Sequence, residues 1–292
     1  MRFTTRTMLS PATRNGPLKF IAALGMLVTA ANPASASPLL INGGFEAGNF
    51  SGWTVSAFTG QSLGQDDTKH TTANFLVNEG NGTPAAATNG VVASQTTSFD
   101  GSGPAASSAV LPTEGNQLAF IANETSTGEV TGESAIVGSA IRQSFMVAPG
   151  ASSLTFDLQF LSNEEIDGGF DFGGVALLDS LNKVLAEFIL DNDPTTGTSV
   201  AHAHTSAVAA GGFNDSAGWL SEAFDLTGLN GQTLTLLAFS THTFDALTES
   251  RTLLDNVIEV APTTVPEPSV LTLLGLGLLG VWNLQVKFRR EG

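Results

Sequence analysis

Short runs of alternating apolar and polar residues fill the middle of this 292-residue chain. The clearest run lies at 154–160, where Leu154, Phe156, Leu158 and Phe160 alternate with polar residues. A period of two places successive side chains on opposite faces of a strand, so this run predicts a strand with one buried face. The chain shows no sustained 3.6-residue period, so the prediction is an all-β fold.

Eight further runs have the same character and are separated by segments rich in Gly, Asn, Asp, Ser and Thr. They lie at 53–58, 117–122, 136–145, 175–179, 183–190, 219–226, 232–240 and 253–260. About nine short strands with polar connections predict an antiparallel jelly-roll-type β-sandwich, as one domain over residues 37–261. The connections at 60–90, 99–114 and 191–218 are long, and such segments in a compact domain are usually functional or disordered.

Charge is distributed very unevenly along the chain. Residues 37–261 contain 4 basic and 25 acidic residues, and 3 of the 11 basic residues lie in the last six positions. A body this acidic repels phosphate backbones, which excludes nucleic acid as a partner. Because the chain has no Cys, disulfide frameworks, thiolate zinc sites and cysteine nucleophiles are excluded as well.

The first 36 residues have the layout of a signal peptide. A basic segment precedes the apolar stretch 20–31, and the small residues Ala34, Ser35 and Ala36 follow. Twelve apolar residues, at about 1.5 Å each, are too few to span about 30 Å of hydrocarbon, which disfavours a membrane anchor. We therefore predict removal of residues 1–36 by signal peptidase.

The last 31 residues, 262–292, combine three features in order. A Pro-rich spacer, which forms neither a helix nor a strand ladder, ends in Val265, Pro266, Glu267 and Pro268. The uncharged stretch 269–286 follows, and its 18 residues would span about 27 Å as a transmembrane helix. The chain then closes with the basic Lys287, Arg289 and Arg290. Positive charge at this end predicts a cytoplasmic terminus and an exported body.

This tail resembles the PEP-CTERM sorting signal of Gram-negative envelope and biofilm proteins. In that family exosortase, a membrane-embedded cysteine protease, is thought to cut near the Pro-Glu-Pro sequence and to release the protein or transfer it to the outer surface. The resemblance implies a transient inner-membrane intermediate that reaches the cell surface, the outer membrane or the extracellular matrix. An ordinary C-terminal anchor is the alternative, but such an anchor has no need of Pro-Glu-Pro beside its span.

Five short segments of the body carry a second resemblance. They lie at 42–53, 112–115, 138–143, 160–165 and 253–257. In this order they resemble exported bacterial jelly-roll proteins, and the first and last are similar to carbohydrate-binding modules with a galactose-binding-like sandwich. In those modules a first-strand Glu and a last-strand Asp commonly hold a structural calcium ion, which implies Glu46 and Asp255 here. The alternative is that Glu46 caps a turn and Asp255 faces solvent.

Four carboxylates gather between two predicted strands, and they belong to Glu164, Glu165, Asp167 and Asp171. Carboxylates this close repel one another unless a cation or open water separates their charges. Calcium takes about six to eight oxygen ligands, although the spacing is not that of a calcium-binding helix-loop-helix. A calcium site and a solvated turn therefore both remain open.

Aromatic and imidazole rings supply two further candidate sites. Trp53 and Trp219 each begin an alternating run, where an indole either stacks on a sugar ring or fills the core. His202 and His204 would lie on the same side of an extended strand, which suits an imidazole-bound metal. Exposed loop histidines are the alternative.

The arrangement of carboxylates argues against catalysis. Glu164 and Glu165 are adjacent, so on a strand they face opposite ways and could not flank one glycosidic bond. We therefore predict a non-enzymatic, surface-sorted envelope or extracellular-matrix protein. The first alternative is a lectin-like carbohydrate-binding module with a structural calcium, which would contact extracellular polysaccharide. The second is a carboxylate-dependent polysaccharide hydrolase or lyase.

Overall fold

The computed structural model of the protein describes residues 40–61, 70–96, 107–123, 135–163, 171–191, 201–205, 208–242 and 249–260. The predicted signal peptide at 1–36 and sorting tail at 262–292 lie outside these residues, as do Glu164, Glu165 and Asp167. Among the residues described, no helix has both the length and the apolar character needed to cross a membrane.

The described secondary structure consists of strands and one helix. The strands are β1 (Thr54–Gln61), β2 (Thr83–Pro84), β3 (Gly90–Val92), β4 (Leu118–Ala122), β5 (Ala135–Met146), β6 (Ser153–Ser162), β7 (Asp171–Leu178), β8 (Val184–Asp191), β9 (Ala201–His204), β10 (Asp215–Ser216), β11 (Leu220–Asp225), β12 (Thr233–His242) and β13 (Ser250–Val260). The helix α1 spans Thr72–Asn81. All nine predicted strands are present, as β1, β4 to β8 and β11 to β13, whereas the short β2, β3, β9 and β10 were not predicted.

The strands form two sheets with jelly-roll connectivity. One sheet has the order β2-β1-β5-β12-β7-β8-β9, and the other has the order β10-β6-β13-β4-β3 with β11 also paired to β6. Eight strands form the halves β5-β12-β7-β8 and β4-β13-β6-β11, and successive strands mostly alternate between the two sheets. This is the interlocked pair of Greek keys that defines a jelly roll. The predicted jelly-roll β-sandwich is confirmed, and its pairs are antiparallel apart from the parallel pair β8–β9.

The main core lies between the two sheets. Leu154, Phe156, Leu158 and Phe160 of β6 are buried there, as their alternation predicts. They belong to one cluster with apolar side chains of β5, β7 and β12 from the opposite sheet. Complete burial of a side chain of this size stabilises the fold by about 1.5–3 kcal/mol.

Both outer faces of the sandwich carry a further apolar layer. On the seven-stranded sheet, Phe75 of α1 packs against Phe58 and Phe239, with ring centroids 5.5 and 4.4 Å away. On the other sheet the covering cluster contains Val110, Leu118, Leu161, Phe213 and Leu253. The outward-facing Asp157 and Gln159 of β6 are also only 6% and 3% exposed. The alternation thus identified the buried inner face of β6, but most of its outer face is buried as well.

The helix α1 was not predicted, because the body of the chain shows no sustained 3.6-residue period. Its ten residues include three Asn and one Gly, which are poor helix formers, and only Thr72 and Phe75 are fully buried. The side chain of Thr71 caps the helix by accepting a hydrogen bond from the N–H of Asn74 at 3.3 Å. The N–H of Thr72 donates to the Glu187 carboxylate of β8 at 2.7 Å. Tertiary contacts therefore stabilise a helix that local propensity does not favour.

The segment before β1 lies against the end of β13. The N–H of Val257 donates to the Gly43 carbonyl at 3.1 Å. The Gln143 side chain of β5 also holds this segment, because it donates to the carbonyls of Ile41 and Gly52 at 2.9 Å each. The two ends of the described body therefore lie side by side.

Candidate functional site

Glu46 binds the segment 112–117, which precedes β4 and is called the 112–117 loop below. Its Oε1 accepts hydrogen bonds from the N–H groups of Asn116 and Gln117 at 2.7 and 2.9 Å. The bond from Asn116 is the chief reason that the pKa of Glu46 lies below its usual range. Immediately before these two residues, Gly115 has φ +64°, and a Cβ there would overlap the Glu46 carboxylate. Only glycine fits this approach without strain.

Asp255 holds the other end of the same loop. Its Oδ2 accepts hydrogen bonds from the N–H groups of Thr113 and Glu114 at 2.7 and 3.1 Å. Asp157 lies directly across from Asp255 on the paired strand β6. The Thr113 hydroxyl lies 2.6 Å from Asp157 Oδ2 and 3.1 Å from Asp255 Oδ2. Since a hydroxyl donates only one hydrogen, the shorter distance favours Asp157 as its acceptor.

The two facing carboxylates have opposite pKa shifts. Burial raises the pKa of Asp255, because its hydrogen bonds do not replace the hydration that it has lost. Burial acts in the same direction on Asp157. Hydrogen bonds from the side chains of Ser221, Thr113 and Asn256 outweigh that effect and lower its pKa. The contacts of Asp157 thus favour its ionised form more than those of Asp255 do.

The structure shows what the two predicted calcium ligands contact, but these contacts do not test whether calcium binds. Glu46 and Asp255 contact one loop, and their oxygens accept hydrogen bonds from its backbone. A calcium ion would have to share or displace these bonds, since it too binds carboxylate oxygen. Among the side chains described, no three His, Asp or Glu come close enough to hold a metal ion. Calcium at Glu46 and Asp255 stays a prediction.

Asp171, the described member of the predicted acidic cluster, lies in the interior. It is fully buried, and its Oδ1 lies 2.6 Å from Nδ1 of His242. Its Oδ2 accepts hydrogen bonds from the Asn123 side chain at 3.1 Å and from the Ser250 hydroxyl. These partners satisfy the carboxylate within the sandwich. A calcium ion shared with Glu164, Glu165 and Asp167 stays a prediction, since those three lie outside the described residues.

The two tryptophans predicted as sugar-stacking residues, Trp53 and Trp219, have different surroundings. Trp53 is 7% exposed and packs in the main core beside Phe45, with ring centroids 5.4 Å apart. Trp219 is half-buried, and its indole N–H donates to the Leu111 carbonyl at 3.0 Å. The Trp53 ring is therefore engaged by the core, and sugar stacking stays a prediction.

Two grooves lie along the strand β11. One, of about 520 Å³, lies between β8 and β11 and is lined by residues 184–188 and 222–225. The other, of about 540 Å³, is lined by residues 155–157 and 221–223 and by Asn256. Both include Glu222, and their linings combine carboxylate acceptors with apolar side chains. Such a mixture can accept hydrogen bonds from hydroxyl groups and contact an apolar ring face.

Several residues of the site were not identified from the sequence. Thr113 and Gln143 lie in segments that carry the body's resemblance, but their roles depend on which strands are neighbours. Asp157 has the appearance of an exposed strand residue in an alternating run. Only the register of β6 against β13, which places it opposite Asp255, reveals its contacts.

Comparison with known proteins identifies the tail. Residues 264–290 match the model of the PEP-CTERM protein-sorting motif. The match confirms the resemblance predicted from Val265, Pro266, Glu267 and Pro268, although these residues lie outside the described structure. No curated protein matches the chain.

Solved structures similar to the body have low sequence identity. The β-1,4-galactotriose complex of TmCBM61 is 12% identical, covers 77% of this chain and 99% of its own, and has a TM-score of 0.35. CBM27-1 of Caldicellulosiruptor saccharolyticus, in complex with mannohexaose, is 12% identical, covers 76% and 94%, and also scores 0.35. The enzymatically active domain of bacteriophage CBA120 tailspike protein 4 is 11% identical, covers 75% and 21%, and scores 0.33. At these values the likenesses carry no conclusion about a ligand or an activity.

The fold and the tail together define the class of this protein. It is a jelly-roll β-sandwich protein with a C-terminal sorting motif. The motif is that of PEP-CTERM proteins, and it indicates an exported protein that is sorted to the surface of a Gram-negative bacterium.

Proposed function

We propose that this protein is a non-enzymatic component of the cell envelope or extracellular matrix of a Gram-negative bacterium. The observation that carries the proposal is the PEP-CTERM sorting motif at 264–290 behind an acidic β-sandwich. A signal peptidase removes residues 1–36, and an exosortase processes the tail. The body then reaches the outer membrane, the cell surface or the matrix.

The tail performs the delivery step. The stretch 269–286 holds the exported chain in the inner membrane, and the closing Lys287, Arg289 and Arg290 remain on the cytoplasmic side. The Pro-rich spacer cannot pair as a strand or continue a helix, so it presents an extended backbone to the protease. Cleavage near Pro266-Glu267-Pro268 separates the body from its membrane tether.

The body contributes charge and a stable surface rather than turnover. Glu46, Asp157 and Asp255 direct their oxygens at the 112–117 loop, which supports a structural role for these acids. With 25 acidic and 4 basic residues at 37–261, the body attracts divalent cations that can bridge it to acidic polysaccharide.

The proposal is tested by replacing Pro266, Glu267 and Pro268 together with alanine in the native host. We expect mass spectrometry of the wild-type surface protein to find a C-terminus close to the motif. The triple variant should keep the intact terminus and fractionate with the inner membrane. Pro262→Ala is the matched control, because it alters the same spacer outside the matched residues. An intact terminus on the wild-type surface protein, or normal processing of the triple variant, would contradict the proposal.

Carbohydrate binding is the second candidate, and the grooves beside β11 favour it. If a glycan lies there, Glu222→Gln should weaken a reproducible glycan-array hit, because Glu222 lines both grooves. Trp219→Ala serves as the comparison, since Trp219 packs against the outer cluster of the six-stranded sheet. A hit lost only with Trp219→Ala would place the sugar on the indole instead. Silence of the secreted wild-type protein across the array would exclude a lectin-like role for the glycans tested.

A further inference from the structure

Three short connections form one surface at the end of the sandwich where the tail begins. They are 147–152, 179–183 and 226–232, and their surface is called the end face below. The N–H of Gly150 donates to the Asn230 side chain at 3.0 Å, which joins two of the connections. The N–H of Ser152 donates to the carbonyl of Val260 at 2.9 Å. Because Val260 is the last residue of β13, the chain leaves the body at this surface.

The end face differs in charge from the body as a whole. Its three connections contain one acidic and one basic residue, Asp179 and Lys183, and therefore have no net charge. Asp225 and Glu259 flank them, and each carboxylate accepts a backbone hydrogen bond from the end face. Residues 37–261 together contain 25 acidic and 4 basic residues. An anionic lipid surface therefore repels the end face less than it repels the body as a whole.

Leu181 lies at the tip of the turn between β7 and β8 and is 85% exposed, the highest value among the large apolar side chains described. The Asp179 carboxylate accepts hydrogen bonds from the N–H groups of Leu181 and Lys183 at 2.8 and 2.9 Å, which hold the turn. Lys183 is exposed as well. Met146 and Val260, at the ends of β5 and β13, add side chains that are 41% and 39% exposed. Apolar groups beside a cation suit a lipid surface, where the apolar groups enter the headgroup boundary and the cation meets phosphate.

The position of the tail keeps the end face near a membrane. Eight residues, 261–268, separate Val260 from the uncharged stretch 269–286, and a chain of that length reaches at most about 30 Å. The 11 residues of β13 extend about 36 Å at about 3.3 Å per residue, so the opposite strand ends lie a further strand length away. A tether also makes the contact intramolecular, so a lipid contact too weak to bind a free body can still form.

We propose that the end face rests on the lipid surface of the inner membrane while the tail tethers the chain. Leu181 then lies among the headgroups, and Lys183 lies beside lipid phosphate. This contact rests on the proposed function, because it requires the stretch 269–286 to span the membrane. Cleavage of the tail ends the contact, since one exposed leucine gives little affinity without a tether. The contact therefore orients the body during processing and does not retain it afterwards.

The experiment uses the full chain, in which one engineered Cys is a unique labelling position because the chain has no other Cys. Ser180→Cys places a fluorophore next to Leu181. Val208→Cys places one towards the opposite strand ends, because the segment after it leads to β10, which pairs with the C-terminal end of β6. Each labelled chain is reconstituted into vesicles of phosphatidylethanolamine and phosphatidylglycerol that contain a lipid with a quencher at headgroup depth. Since these vesicles contain no other protein, quenching reports contact with lipid alone.

We expect the fluorophore at position 180 to be quenched several-fold more strongly than the fluorophore at position 208. Leu181→Ser should remove this difference, because the apolar tip is lost. Val77→Ser is the matched control, since Val77 is 59% exposed on α1 and lies outside the end face. It should leave the difference unchanged. All four substituted residues are exposed, so the fold should persist, which circular dichroism checks.

An alkaline carbonate wash of the vesicles separates failure of the contact from failure of the tether. Loss of the chain in the wash would overturn the tethered intermediate and the contact together. Retention of the chain with equal quenching at the two positions would overturn the contact alone. Unchanged quenching in Leu181→Ser would also overturn it, because closeness to the membrane would then follow from the short tether without insertion of the leucine.

Discussion

Gly115 and Gly218 share a left-handed backbone, with φ of +64° and +70°, but not their surroundings. A Cβ at Gly115 would overlap the Glu46 carboxylate, whereas nothing lies within 4 Å of one at Gly218. We expect Gly218→Ala to lower the free energy of unfolding by about 1–2 kcal/mol, the cost of the left-handed conformation alone. Gly115→Ala should cost about 1–3 kcal/mol more, because it also displaces hydrogen bonds to Glu46. Urea denaturation measures both, and equal losses would contradict the role of Glu46 in holding the loop.

The facing carboxylates Asp157 and Asp255 predict opposite pH dependences. The lowered pKa of Asp157 stabilises the fold above the unfolded-state pKa of about 3.9, and this contribution disappears as pH falls through the folded-state value. The raised pKa of Asp255 contributes stability below about pH 3.9, which is lost as pH rises through its folded-state value.

The measurement is the free energy of urea unfolding between about pH 6 and pH 3. As pH falls, the stability advantage of the wild type over Asp157→Asn should shrink, while its advantage over Asp255→Asn should grow. Each Asn keeps the shape of the side chain but cannot ionise. Parallel trends in the two variants would show that the two carboxylates do not differ as their contacts indicate.

At the scale of elements, alternation sufficed to locate nine strands because the buried faces of β6 and β12 are regularly apolar. It failed for α1, whose ten residues are too few to show a sustained helical period and of which only Thr72 and Phe75 are fully buried. It also failed to show that Asp157 is covered, since Thr113 and Ser221, which contact it, are distant in sequence. Prediction of the candidate site was limited for the same reason, because the sequence alone does not show which segments are neighbours. Glu46 and Asp255 were recognised by resemblance, but the contact of Asp157 with Thr113 depends on strand register.

The helix α1 provides a test of how strongly the outer layer stabilises the sheet. Phe75 is fully buried against Phe58 and Phe239, whereas Val77 on the same helix is 59% exposed. We expect Phe75→Ala to lower the free energy of unfolding by about 3–5 kcal/mol through lost burial and a cavity. Val77→Ala should change it by no more than about 0.5 kcal/mol. Similar effects of the two substitutions in urea denaturation would mean that α1 contributes little to stability.

At the scale of the whole molecule, charge and sorting are connected. A body with 25 acidic and 4 basic residues over 37–261 repels itself at low ionic strength, and the tail is expected to deliver it to a surface where divalent cations are available. Composition is sufficient to predict this self-repulsion. It cannot distinguish general screening from a specific calcium site, because the positions of Glu46 and Asp255 follow from the fold.

A thermal-melting series distinguishes general charge screening from specific calcium binding. NaCl added from about 10 mM to about 0.15 M shortens the Debye length from about 30 to about 8 Å, so the midpoint should rise by screening. CaCl₂ should raise it further than MgCl₂ at equal ionic strength if calcium binds Glu46 and Asp255. A free calcium concentration of 100 times the dissociation constant would add about 2.7 kcal/mol to the free energy of unfolding. Glu46→Gln should abolish the additional rise of the midpoint caused by calcium but keep the rise caused by NaCl. The reason is that Gln still accepts hydrogen bonds but lacks the charge. Identical midpoints in CaCl₂ and MgCl₂ would leave screening as the whole effect and remove calcium from the site.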